Sequence, residues 1–305
     1  MRHYSYWELR VQMLSQKIDQ ILIDLAWSLW TELGVAGVKR RHKQCLIDLE
    51  ELIILTAVIA RVDPRLRDEA LDWCSRYHHF VSISRLRMLV KDFGQAVIEP
   101  FSLFASTMNS VSQANWPVFS SVLPLKFKPS GKSKQPRCEL PALLFLRIRA
   151  LFGVGARADL ITFFLTQKRN DFTASDTTEI GYSKRSLADL LDNFVQSGFF
   201  EMFMIRNQKN YRFIKRDQMT KIVGQIPEEV PPWRDILQVV LSLRNCIEQN
   251  ERKATGVRMN EIRNHLKKME DKLRKLNLTP PPMQSDFDLY WESFSNWILK
   301  IVHSF

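Results

Sequence analysis

Gly153, Gly155 and Ala158 in "FGVGARADL" form the pattern G-x-G-x-x-A, and Asp176 follows at about the distance of a ribose-binding acid. In a dinucleotide site such residues let the backbone approach a pyrophosphate at a helix start. That chemistry needs a preceding strand within a βαβ unit. The residues before it, "LLFLRIRALF", are helix formers rather than a β-branched run, and no strand–helix alternation surrounds them. The spacing therefore reads as a glycine joint between two helices. Cys74, His78 and His79 have spacing compatible with metal ligands on a helix, but no second pair follows, and the structural reading prevails. His42 and Cys45 are too generic to add to it. The chain contains no P-loop, no G-x-S-x-G and no H-E-x-x-H. Asp48, Glu50 and Glu51 read as an exposed helix face. The expectation is a chain that is not an enzyme and carries no metal or cofactor.

Ser183, Lys184, Arg185 and Ser186 offer a different chemistry. Gly181 and Tyr182 can make a turn, and Ser183 can cap a helix. Leu187, Leu190, Leu191, Phe194 and Val195 then form one apolar stripe. Lys184 and Arg185 stand in the first turn, where the helix dipole disfavours cations. Contact with a phosphate or a base edge explains them, because a helix start also presents free N–H groups to anions. Gly198 stops the helix. "FFEMFMI" and "YRFIK" read as two strands with "RNQKN" as the hairpin tip. This ribbon and its flank carry Arg206, Lys209, Arg212, Lys215 and Arg216.

These residues need positioning elements. "LPALLFLRIRALFG" and "ARADLITFFLTQ" read as two helices, and "SDTTEIGY" as a short helix with a turn. Helix, helix, turn, helix and two-stranded wing is the order of a winged helix-turn-helix. Its second motif helix enters the major groove of double-stranded DNA with its N-terminal residues at base edges, and the wing's cations hold the backbone.

The charge distribution points the same way. The net charge of the 305-residue chain is +11. Residues 123–217 carry 17 Lys and Arg against 9 Asp and Glu, while residues 1–122 carry 14 against 13 and residues 218–305 carry 13 against 11. A localised basic field suits a polyanionic partner. Residues 123–139, "LPLKFKPSGKSKQPRCE", hold Pro124, Pro129, Gly131 and Pro136 together with Lys126, Lys128, Lys132, Lys134 and Arg137. They read as a basic linker or exposed loop.

The flanks read as helical. "YWELRVQMLSQKIDQILIDLAWSLWTEL" has helical periodicity and a stop at Gly34 to Gly37. "CLIDLEELIILTAVIARV" is a more buried helix, "PRLRDEALDWCSRYHHF" has Pro at its first turn, and "SRLRMLVKDFG" can be capped by Ser84. Arg85 and Arg87 give this last pair a helix–turn–helix outline, read as helical packing because its charge is balanced and it lacks a wing. The tail offers "PPWRDILQVVLSLRNCIEQN", "VRMNEIRNHLKKMEDKLRKLNL" and a final helix capped by Ser285. The fold class is mainly α. A helical N-terminal domain spans 1–122, a basic linker 123–139, a winged helix-turn-helix domain 140–217, and a helical C-terminal domain 218–305. The helical flanks suit a homodimer. Four scattered cysteines, no signal-peptide core and no apolar run of membrane length lead to the expectation of a cytoplasmic protein without membrane contact.

The stretches "ELPALLFLRIRALFGVGARADLITFFLTQ" and "TTEIGYSKRSLADLLDNFVQSGFF" resemble the winged-helix segment of uncharacterised bacterial proteins. "AWSLWTELGVAG", "LIDLEELIILTAVIARVDPRLRDEALDWCSR" and "SRLRMLV" resemble the same group, so the likeness covers most of the chain and is weaker over 218–305. These proteins resemble regulators or antitoxins paired with abortive-infection-type nucleotidyltransferase toxins. The resemblance implies a DNA-binding antitoxin that regulates its own operon, with DNA contact at Ser183, Lys184, Arg185 and Ser186 and nucleotidyl transfer on the partner. The alternative is an interaction module that neutralises such a toxin by direct binding without DNA contact.

Overall fold

The structure is a computed structural model that describes residues 6–37 and 41–304. Among the described residues it holds thirteen α-helices and one small antiparallel sheet. No helix among them is long and apolar enough to cross a membrane. The contacts group the chain into two compact units.

The helices before the sheet region are α1 (Tyr6–Glu32), α2 (Leu49–Ile59), α3 (Pro64–Tyr77), α4 (Ile83–Phe93) and α5 (Gln95–Val111). Then come α6 (Leu144–Phe152), α7 (Ala156–Thr166), β1 (Asp171–Phe172), a 3-10 turn over Asp176–Ile180, and α8 (Lys184–Gln196). The hairpin β2 (Phe200–Ile205) and β3 (Gln208–Phe213) follows, then α9 (Arg216–Val223). The chain ends with α10 (Trp233–Gln249), α11 (Thr255–Lys268), α12 (Glu270–Lys275) and α13 (Phe287–His303).

One unit takes the chain up to Ala26, residues 61–63 and everything from Pro232 onward. Its core includes Val11, Ile18 and Leu22 of α1, Val239, Val240 and Leu243 of α10, and Phe294 and Ile298 of α13, all essentially inaccessible to solvent. Arg244 donates to both carboxylate oxygens of Asp19 in this core. Two local expectations are corrected here. The expected long tail helix breaks at Met269 into α11 and α12. Asp286, not Ser285, caps α13, accepting the N–H groups of Asp288 and Leu289. A carboxylate is the stronger acceptor at a helix start, which explains the choice between neighbours.

The other unit holds residues 27–60 and 64–231. Ser82 rather than Ser84 caps α4, because its extended backbone lets its hydroxyl meet the Arg85 N–H. Gly153 (φ 81°) and Gly155 (φ 145°) form the joint between α6 and α7, as the sequence leads one to expect. The element before that joint is a helix, so the G-x-G-x-x-A pattern lacks the strand that a dinucleotide site requires. The ribbon differs from its expected form. It is three-stranded, in the order β1-β3-β2, with Asp171 opposite Arg212 and Phe172 opposite Tyr211. The hairpin closes on Ile205 and Gln208, leaving Arg206 (φ 45°) and Asn207 (φ 60°) as a two-residue turn. Positive φ at both turn residues matches the right-handed strand twist.

The basic segment 123–139 contains no regular element and yet is pinned to α3. Asp72 accepts the Gly131 N–H at 2.6 Å, the Ser133 N–H at 3.1 Å and the Ser133 hydroxyl at 2.7 Å. Arg76 donates to the Gly131 and Ser133 carbonyls at 3.0 and 2.7 Å. Burial alone would raise the Asp72 carboxyl, but the bonds from Ser133 and Gly131 outweigh it and hold it below its ordinary value. A depressed carboxyl contributes stability above its unfolded pKa and loses it as the pH falls through the folded one. Asp72→Ala is expected to cost about 2 kcal/mol in urea unfolding at neutral pH, since it strands the buried N–H and hydroxyl of Ser133. Limited proteolysis should then cut first within 123–139. Unchanged cleavage there would show that Asp72 does not hold the segment.

Candidate nucleic-acid interface

The start of α8 is built by capping and by a clamped turn. Ser183 lies in extended backbone, and its hydroxyl accepts the Ser186 N–H at 3.2 Å. Gly181 supplies the positive φ of the turn, +86°. A Cβ there would stand 3.2 Å from Arg85 Cγ and 3.4 Å from Leu89 Cδ2, so the close approach also favours glycine. Arg85 Nε donates to the Ile180 carbonyl at 2.6 Å. The Tyr182 hydroxyl donates to Asp159 Oδ2 at 2.8 Å and accepts from the Ser82 hydroxyl at 2.9 Å.

Behind this turn lies a buried ionic cluster. Arg85 donates to Asp48 Oδ1 and to Glu50 Oε2, both at 2.6 Å. Arg149 donates to Glu50 Oε1 at 2.8 Å and to the Phe80 carbonyl at 2.8 Å. Its Nε and Nη2 grip Asp159 as a fork, at 2.8 and 2.9 Å. Asp48, Glu50 and Glu51 were expected on an exposed face, and the structure corrects this: they are 8%, 0% and 3% exposed. The physical reason is pairing, because buried carboxylates persist where cations and donors surround them. Burial by itself would raise the Glu50 carboxyl, but Arg149 and Arg85 prevail and bring it down to about 2. The Tyr182 hydroxyl is pushed up by burial and by the Asp159 charge beside it. Of the two arginines read from sequence as helical packing, Arg85 is interior, at 1% exposure, whereas Arg87 is exposed.

In front of the turn, Ser183, Lys184, Arg185 and Ser186 are all exposed. The stripe behind them buries Leu187, Leu191 and Phe194, with Leu190 and Val195 half-buried. Asp192 on the same helix straps the hairpin. It accepts from Lys209 at 2.9 Å and from the Tyr211 hydroxyl at 2.8 Å. Burial opposes its ionisation, and these two bonds outweigh that and lower its carboxyl.

The cations of the ribbon thus divide. Arg206 at the tip is exposed, and Lys209 is exposed beside Asp192. Arg212 is gripped by Asp171 at 2.6 and 2.8 Å and by Glu201 at 3.1 Å, so it ties β1 and β2 to β3. Lys215 is half-buried just before α9. Arg216 donates to the carbonyls of Leu165 and Gln167, fastening α9 to the end of α7. The structure therefore brings Ser183–Ser186 and the strap of Lys209 onto one helix and its hairpin, while Arg212 and Arg216 hold the scaffold.

Cys74 is buried within α3. Among the described residues no group of three or more His, Cys, Asp or Glu side chains is placed to hold a metal ion. No protein-family model, no curated protein and no solved structure matches the chain.

Proposed function

We propose that this protein is a DNA-binding regulator whose residues 140–217 are a winged helix, with α8 as the helix that enters the major groove. One observation carries the reading. A helix whose capped start exposes Ser183, Lys184, Arg185 and Ser186 is strapped through Asp192, further along it, to a hairpin in a sheet of order β1-β3-β2. Lys and Arg at a helix start can reach guanine edges, and Ser can bond a base or a phosphate. Arg206 and Lys209 supply backbone contacts from the hairpin. The antitoxin role, with operon self-regulation, a nucleotidyltransferase-type toxin partner and a homodimer, enters this proposal on the sequence resemblance and on the helical flanks.

The test is fluorescence anisotropy with the duplex upstream of the gene against a scrambled duplex. The expected result is selective binding whose logarithm falls linearly with the logarithm of salt concentration. Lys184→Glu/Arg185→Glu should abolish the selectivity and weaken binding by more than about tenfold, roughly one bidentate contact or more. Equal affinity of that variant and the wild type for the upstream duplex would refute α8 as the reading helix.

A further inference from the structure

We propose that the pinned segment Lys126–Arg137 is a second polyanion surface, a fixed row of cations that follows a nucleic-acid sugar–phosphate backbone. The inference stands apart from the reading of α8, because it uses none of its residues. Lys126, Lys128, Lys132, Lys134 and Arg137 are all exposed. Among the residues beside and between them, Leu125, Phe127 and Pro129 are half-buried and Ser133 and Pro136 are buried, while Ser130, Gly131 and Gln135 are exposed. The segment lies along the protein surface with its cations outward, and Gly131 (φ 69°) turns the chain between Lys128 and Lys132.

Its position is held at several points. Asp72 and Arg76 grip both Gly131 and Ser133. The Lys134 N–H donates to the Gly34 carbonyl at 3.0 Å, and the Leu125 N–H to the Thr107 hydroxyl at 3.0 Å. Only Arg137 of the five cations has an acidic partner, Glu139 at 2.7 Å, and both are well exposed. The four lysine ammonium groups have no acidic partner among the described residues. A row that spends its buried hydrogen bonds on holding backbone, while leaving its charges open, is preorganised for an external anion.

Spacing and composition select the partner. Within the pairs Lys126/Lys128 and Lys132/Lys134, two residues of extended backbone span about 6.6 Å. Each strand of a duplex carries one charge per about 3.4 Å of helix axis, so such a pair spans about two phosphates of one strand measured along the axis. Between Lys126 and Arg137 the outward side offers no aromatic or aliphatic anchor. Protein–protein interfaces rely on such anchors and are depleted in lysine. Phosphate contact needs only the charges.

The test uses the full chain and the variant Lys126→Gln/Lys128→Gln/Lys132→Gln/Lys134→Gln, with a scrambled duplex at low and moderate salt. These side chains are exposed, so the thermal unfolding of the variant should match the wild type. The expected result is a loss of at least about tenfold in affinity and a salt slope shallower by about 3–4, nearly one per lost phosphate contact. The preference for the upstream duplex over the scrambled one should survive in this variant. By contrast, Lys184→Glu/Arg185→Glu should lose that preference, so failure of one proposal is distinguishable from failure of the other. An unchanged salt slope in the glutamine variant overturns the inference. So does binding of the wild type to phosphatidylserine vesicles in a lysine-dependent way with none to duplex, which would assign the row to an anionic membrane surface.

Discussion

Arg149→Met should destabilise the second unit by about 3–5 kcal/mol, the range seen when one partner of a buried ion pair is removed. Arg149 is 2% exposed and makes five donations, to Glu50, Asp159 and the Phe80 carbonyl. Methionine fills much of the volume but leaves Glu50 and Asp159, both 0% exposed, without that cation. Arg85 still neutralises Glu50 in part, whereas Asp159 keeps only neutral donors such as Tyr182. The acid limb gives an independent reading. With its folded pKa lowered to about 2 from 4.5, Glu50 contributes stability that is complete above about pH 4.5. That contribution is lost as the pH falls through about 2. In the variant the carboxyl returns toward higher values, so acid unfolding should begin at higher pH. Urea unfolding at neutral pH, followed by tryptophan fluorescence, checks the first effect, and the same signal against pH checks the second. A loss below about 1 kcal/mol would show that the cluster is solvated rather than interior, since exposed pairs are worth no more. Replacing Glu50, Arg149 and Asp159 together by apolar residues of similar volume should recover much of the loss, because no charge is then stranded.

The parts of this cluster illustrate what the sequence does and does not disclose. Local rules worked at α8. The cap at Ser183, the Gly181 turn and the stripe Leu187, Leu191, Phe194 all follow from spacing within one helix. The acids of α2 defeated the same rules. Every residue of Leu49–Ile59 is buried, so that helix has no polar face on which to place Glu50 and Glu51. Their neutralising arginines come from 35 and 99 residues further along the chain, and no periodicity links such positions. Strand β1 was equally invisible, because two residues cannot show an alternating pattern. Its partner, Arg212, is 41 residues away and is held through Asp171. The same long-range pairing bears on the candidate site. From composition, Arg212 and Arg216 are cations like Lys184 and Arg185, and only their partners show that they brace the sheet and α9.

Phe164→Ala should cost about 3–5 kcal/mol, the usual range for deleting a buried aromatic ring. Phe164 on α7 is 2% exposed. Its ring meets Phe172 of β1 edge-on at 5.3 Å and Phe200 of β2 edge-on at 4.8 Å. Phe200 in turn stacks on Phe213 of β3 at 4.3 Å and on Phe194 of α8 at 5.0 Å. One side chain thus joins α7 to the sheet, and through Phe200 to the helix that presents Lys184 and Arg185. Aromatic pairs in these edge and offset arrangements add to the area they bury, so the loss should exceed that of an aliphatic residue of equal exposure. Phe164→Leu keeps most of the volume and should cost roughly 1–1.5 kcal/mol. The damage should also be uneven. In Phe164→Ala, amide hydrogen exchange should accelerate first in β2 and β3, on whose Phe200 and Phe213 the ring packs, and least in α2, which has no ring contact with Phe164. Uniform acceleration across both would mean that the sheet and the helical body unfold as one cooperative block. In that case the hairpin has no independent freedom, and the geometry between α8 and β3, set through Asp192, Tyr211 and Phe200, is fixed in the folded unit.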